Sequence, residues 1–145
     1  MQNSKIKKKI ITLIGPTACN KTSTAVHLVK KFPISIIGVD SVQIYKRFNI
    51  GSAKPPKEIL EKYRHHLVDS ADPENIFSVK DFYDQAYRIV LQAHSNNRIP
   101  LLVGGTMMYF NALFKGINDI PEGNEAIREE LQRELDNRGV DKQIK

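Results

Sequence analysis

The chain has 145 residues, 41% of them hydrophobic and 26% charged, with a formal net charge of +6 and one cysteine. That composition suits one globular domain with a real core and excludes a disulfide-stapled scaffold or a low-complexity tract; no apolar run approaches the roughly 18 residues of a membrane span. A pI near 9.4 admits a polyanionic partner such as nucleic acid without requiring one.

Residues 1–9 form a basic lead that reads as a solvated terminus. The apolar run I-I-T-L-I at 10–14 is shorter than the roughly 7–15 residues of a secretory core, and Pro16 stands where a lipoprotein signal needs an aliphatic residue, so no leader is expected. The run reads instead as a buried strand. It leads directly into Gly15, Pro16, Thr17, Ala18, Cys19, Asn20, Lys21 and Thr22, and an amphipathic stretch follows. Strand, turn and helix with Lys-Thr at the helix start is the layout of a phosphate-binding P-loop, G-x-x-x-x-G-K-[ST]. Backbone N–H groups of the turn and the positive end of the helix dipole converge on an anion. Lys21 adds a full charge, and the Thr22 hydroxyl suits a Mg²⁺ that bridges phosphates. Asn20 occupies the position of the motif's second glycine. Asn enters left-handed backbone more readily than most residues, so the loop is expected to close, with a side chain where the ligand approaches. Cys19 reads as a small mid-loop residue rather than a nucleophile. On these residues alone, an ordinary strand-to-helix loop remains the alternative.

The spacing of Ala25, Leu28, Val29 and Phe32 predicts a helix over Lys21–Lys31 with one apolar stripe, stopped by Pro33. His27 reads as a surface residue. Ile34–Val39 is a continuous, largely β-branched run, as in a strand covered on both faces. It ends in D-S-V-Q-I-Y at 40–45. In parallel α/β sheets ligands bind at the carboxyl ends of strands, which places Asp40 where catalytic groups belong; a turn-capping Asp is the alternative. Residues 48–56 read as loop and 57–64 as a short helix. His65 and His66 are adjacent and cannot face the same way, so no metal site is expected. Ser78 and Asp81 resemble a capping box, opening a helix to about Ser95 with Phe82, Ala86, Ile89, Val90 and Ala93 inward. A third buried strand at 99–103 ends in Gly104, Gly105 and Thr106. Met107–Lys115 is expected to be helical, with Met107 and Met108 as core filler. Residues 118–124 read as loop and 125–137 as helix. The alternation of strand and helix implies a parallel α/β sheet with right-handed crossovers. Such a sheet would bring the P-loop, Asp40-Ser41 and the Gly104–Thr106 turn to one crevice.

These motifs, in this order, resemble the tRNA dimethylallyltransferases, also called isopentenyltransferases. Their pattern runs G-P-T-A-[ST]-G-K-[ST], D-S-x-Q-x-Y, a G-T-A-K-P-like segment, H-H-L-I-D, S-x-x-D-F and V-G-G-T-x-x-Y. The counterparts here are residues 15–22, 40–45, 51–55, 65–69, 78–82 and 103–109. The resemblance implies a P-loop NTPase-like parallel sheet flanked by helices over residues 1–117, and the beginning of a helical tRNA-binding insertion over 118–145. Typical members continue through a Q-R-x-x-R segment and further core elements, so this chain matches their first half and is expected to bind tRNA poorly alone.

The implied activity is transfer of a dimethylallyl group from dimethylallyl diphosphate to the exocyclic amine of the adenosine 3′ of the anticodon. By resemblance, residues 15–22 hold the diphosphate with Mg²⁺ on Thr22, and the NTPase-like loop consumes no triphosphate. Asp40 matches the general base. Asp40, Ser41, Val42 and Gln43 match the segment that meets the target base in the tRNA anticodon arm. Thr106 matches a residue at the reacting centre that also contacts tRNA, and Arg128 a further tRNA contact. A cytoplasmic monomer without membrane association is implied. A P-loop small-molecule kinase and an inactive remnant of the transferase stay open as alternatives.

Overall fold

The structure is a computed structural model that describes residues 9–117 and 125–138. Four strands, β1 (Ile11–Ile14), β2 (Ile34–Val39), β3 (His65–His66) and β4 (Ile99–Gly104), form one parallel sheet in the order β1-β4-β2-β3. Parallel neighbours need long crossovers, and helices supply them: α1 (Lys21–Lys31), α2 (Lys57–Lys62) and α3 (Val79–Ser95), with α4 (Met107–Lys115) and α5 (Glu125–Arg138) following β4. Among the described residues no helix is long and apolar enough to cross a membrane.

Strand periodicity sorts the core into two layers. Ile34, Ile36 and Leu101 pack with Ala25 of α1 on one face. Ile37, Val39 and Leu102 pack with Phe82, Tyr109 and Phe110 of α3 and α4 on the other. Every residue of β2 is buried, as expected for a strand covered on both faces. The rings of Phe82 and Tyr109 stack at 4.0 Å, and burying a side chain of that size contributes about 1.5–3 kcal/mol. The α3 capping box is formed: the Ser78 hydroxyl accepts from Asp81 N at 3.1 Å, and the Asp81 carboxylate accepts from Ser78 N at 2.9 Å.

Three sequence expectations change. The run at 10–14 is not buried: among the described residues β1 is an edge strand paired with β4 alone, and Ile11 and Ile14 are exposed. Phe32 leaves the α1 stripe because it lies past the helix end in extended backbone, and Val26 is buried instead. Met107 and Met108 are exposed rather than core, because the phase of α4 turns Tyr109, Phe110 and Ala112 inward. Residues 118–124, where the second segment was expected to begin, lie outside the described residues.

On β3, His65 is buried and His66 half-buried. His65 Nδ1 lies 2.6 Å from the Tyr63 carbonyl. A carbonyl only accepts, so Nδ1 carries the proton, and Nε2 is buried with no hydrogen-bond partner among the described residues. Burial pushes His65 below its ordinary value of 6.5, against the opposing bond to Tyr63. Burial, and then the charges of Arg64, Arg98 and His65, lower His66. As pH falls through 6.5 the unfolded chain therefore takes up protons first. The contribution of the neutral histidines is present above that value and is lost below it, towards the folded pKa. The urea midpoint is expected to be lower at about pH 5.5 than at about pH 7.5. The gap should narrow in His65→Asn, whose amide can still donate to Tyr63 but does not titrate.

Candidate active site

β1, β4 and β2 end level. Ile14 and Val39 both pair with Gly104, so the segments that follow leave the sheet side by side. Glycine is required at 104, because a Cβ there would lie 2.0 Å from the Val39 carbonyl oxygen. Thr106 N donates to that same carbonyl at 3.2 Å, and Gly15 N to Gly104 O at 3.4 Å. The second glycine turn is thereby laced to both the P-loop and the Asp40 segment.

In the P-loop, Asn20 adopts the left-handed conformation, φ 59° and ψ 23°, and Ala18 has φ 64°. The loop closes at Asn20 as expected. Asn20 makes no side-chain cap, and α1 has no acidic residue in its first turn. The first-turn N–H groups, which have no partner within the helix, are thus left for an anion. Lys21 Nζ donates to Gly15 O at 2.8 Å and to Pro16 O, and reaches Cys19 Sγ at 3.6 Å. That lays the ammonium across the loop.

Thr17, Ala18, Cys19, Asn20, Lys21 and Thr22 line a cavity of about 560 Å³ together with Asp40 and Gln43. An adjoining cavity of about 500 Å³ shares Thr17, Lys21 and Asp40 and adds Gly15, Pro16, Ser41, Val42 and Thr106. Lys21 and Asp40 therefore stand where the two meet. Asp40 Oδ1 accepts from Val42 N at 2.9 Å and Gln43 N at 3.0 Å. The turn-capping role is real, but it uses one oxygen and leaves Oδ2 as an acceptor. Ser41 N donates to Thr106 Oγ1 at 3.0 Å. Gln43 Nε2 donates to the carbonyls of Ser52 at 3.1 Å and Ala53 at 3.0 Å. Both amide hydrogens are used, so Oε1 is the acceptor that remains.

The candidate site residues whose side chains are described gather at this crevice. Arg128 belongs to α5, and its side chain lies outside the described residues. Sequence reasoning missed Ser52 and Ala53, whose contribution is main-chain carbonyls, and His27 and Lys30 on the outer face of α1, which line the larger cavity. It also missed Met107, which lines the smaller one.

Comparison with known proteins identifies the family. A family model described as IPP transferase matches residues 43–145. A tRNA dimethylallyltransferase of Dichelobacter nodosus is 44% identical over 131 residues, covering 90% of this chain and 41% of the relative. One from Legionella pneumophila is 44% identical over 136 residues, covering 94% and 44%. Among solved structures, the full-length tRNA isopentenylpyrophosphate transferase of Bacillus halodurans is similar with a TM-score of 0.73 and 39% identity, over 92% of this chain and 44% of that one. A eukaryotic dimethylallyltransferase acting on tRNA is similar with a TM-score of 0.75 and 27% identity, over 87% and 32%. The chain spans about two fifths of the length of these curated relatives. With a P-loop, an acid-bearing strand end and a double-glycine turn on one parallel sheet, and a family model covering most of its length, the chain belongs to the IPP transferase family.

Proposed function

We propose that the crevice holds dimethylallyl diphosphate and delivers its prenyl group to the exocyclic amine of an adenosine in the anticodon arm of tRNA, 3′ of the anticodon. The observation that carries this is the level ending of three strands, which sets a phosphate loop, a carboxylate and a threonine around one space. Negative charge grows on the diphosphate as the bond from the allylic carbon to oxygen breaks. Donors already aimed at that charge lower the barrier; here they are the first-turn N–H groups of α1, and Lys21 adds a full positive charge beside them. As the amine nitrogen bonds to the carbon, Asp40 takes the proton through Oδ2. Gln43 Oε1 accepts the amine's other hydrogen, Ser41 and Val42 meet the base, and Thr106 stands at the reacting centre. An adenine in a stacked loop must be splayed out to reach this depth.

Among the described residues no group of three or more His, Cys, Asp or Glu side chains is placed to hold a metal. Thr22 lines the larger cavity, and its hydroxyl would hold a Mg²⁺ bound with the diphosphate. Bound there, it would neutralise charge on the diphosphate. The α/β core over residues 1–117 and a tRNA-gripping segment over 118–145, with Arg128 as one contact, complete the proposal for a cytoplasmic, monomeric enzyme. Family membership favours prenyl transfer over the phosphotransferase alternative.

The test supplies unmodified tRNA, dimethylallyl diphosphate and Mg²⁺ to this chain. In parallel, it supplies them to a chimera in which residues 9–117 replace the matching segment of the Bacillus halodurans transferase. Digested tRNA is then weighed nucleoside by nucleoside. A prenylated adenosine from the chimera is expected. A folded chimera that yields none, or that phosphorylates a substrate from ATP instead, overturns the proposal.

A further inference from the structure

Among the described residues, seven non-glycine positions have positive φ, and four of them, Arg47, Ala53, Leu67 and Asp69, fall between residues 47 and 69. Backbone of that kind is strained for residues other than glycine and persists only where surrounding contacts hold it. The contact best placed to do so is Lys54. Its side chain is 3% exposed. Nζ donates to Asp69 Oδ1 at 2.5 Å, to Tyr45 O at 2.9 Å and to Asn49 Oδ1 at 3.3 Å. Two of the left-handed residues flank this ion pair: Ala53 precedes Lys54, and Asp69 is its partner. Asp69 N in turn donates to Gln43 O at 3.1 Å. One buried ammonium thus ties the 49–54 loop to the turn after β3 and to the segment that carries Gln43.

We propose that Lys54 is a positioning residue of the active site: clamped on Asp69, it fixes the Ser52 and Ala53 carbonyls that hold the Gln43 amide beside Asp40. The catalytic consequence rests on the prenyl-transfer proposal, because a Gln43 acceptor held beside Asp40 gives the target amine's second hydrogen a fixed partner. The clamp itself does not depend on that proposal. Lysine suits the place because a buried ammonium with three donors can reach a carboxylate, a carbonyl and an amide oxygen together. Without Asp69 the buried Lys54 ammonium would be left uncompensated, so the loop has little freedom to drift while both are present.

The test reads Gln43 directly, in this chain. Its side-chain amide signals are identified in an amide NMR spectrum by their loss in Gln43→Ala. With both hydrogens donated to carbonyls, they should exchange slowly with water. Lys54→Met keeps the aliphatic stem and removes the ammonium. The Gln43 side-chain amide is expected to exchange at least about tenfold faster in that variant, while the backbone amides of Ile36 and Ile37 in β2 keep their protection. Asp69→Asn changes a carboxylate that is 40% exposed, and it should give the same local acceleration if Lys54→Met does not fold. Gln43 exchange unchanged within about twofold in a folded variant overturns the proposal. So does equal acceleration throughout β2, or failure of both variants to fold, since the pair would then be structural. Success here with no prenyl transfer by the chimera would remove the function and leave the clamp standing.

Discussion

Replacing Lys21 with methionine is expected to weaken binding of inorganic pyrophosphate by about 10- to 150-fold, measured by calorimetry on this chain. The range follows from the roughly 1.5–3 kcal/mol that a hydrogen bond to a charged group contributes and the 1.4 kcal/mol per tenfold change in affinity. Lys21 is the residue to expect this of because its ammonium lies over the Gly15 and Pro16 carbonyls and lines both cavities. Methionine keeps the stem, so α1 should fold as before and the loss should be electrostatic. The affinity of the unaltered chain should also fall with added salt, more steeply than that of Lys21→Met. Lys21→Arg should fall between the two, since a planar fork does not replace a compact point donor in a tight loop. Pyrophosphate binding kept within about twofold in a folded Lys21→Met chain would show that the loop holds its anion by backbone alone.

Local signals carried the elements that the sequence located best. Lys21–Lys31 and Ile34–Val39 match their expected bounds residue for residue, because Pro33 separates a helical stripe from a β-branched run without ambiguity. The capping box set the start of α3 for the same reason: two side chains satisfy donors of their own first turn. Which strands are neighbours was not legible. Alternation of strand and helix implies parallel pairing, but an apolar run has the same composition whether it is covered on both sides, as β2 is, or paired on one, as β1 is. Periodicity alone puts Phe32 on the α1 stripe, because the spacing continues one residue past the point where the backbone leaves the helix. The candidate site was legible where a strand's end meets a residue with distinctive chemistry: Lys21, Thr22, Asp40 and Thr106. The carbonyls of Ser52 and Ala53 were not legible, since any residue supplies a carbonyl and only the fold aims it. Lys54 was hidden for a related reason. Nothing in its local sequence says that a lysine beside two prolines is buried against Asp69.

Replacing Asp40 is expected to have the largest effect on the reaction, and the choice of replacement separates its two roles. Asp40 Oδ1 caps the turn through Val42 N and Gln43 N, and Oδ2 is the oxygen proposed to take the proton. Asn keeps an acceptor oxygen for the cap and loses the base, whereas Ala loses both. If proton removal is the main role, Asp40→Asn in the chimera should lower kcat by about 10²- to 10⁴-fold, with little further loss in Asp40→Ala. Pyrophosphate affinity in the same variants should stay within about threefold of the unaltered chimera, because the donors proposed to hold the diphosphate belong to the P-loop. If capping were the main role, Asp40→Asn would keep most of the rate and only Asp40→Ala would lose it. Retention of the full rate by both variants would remove Asp40 from the mechanism. An amine that becomes more acidic as its nitrogen bonds to carbon would then give its proton to solvent. In that case the strand end after Val39 would serve binding alone.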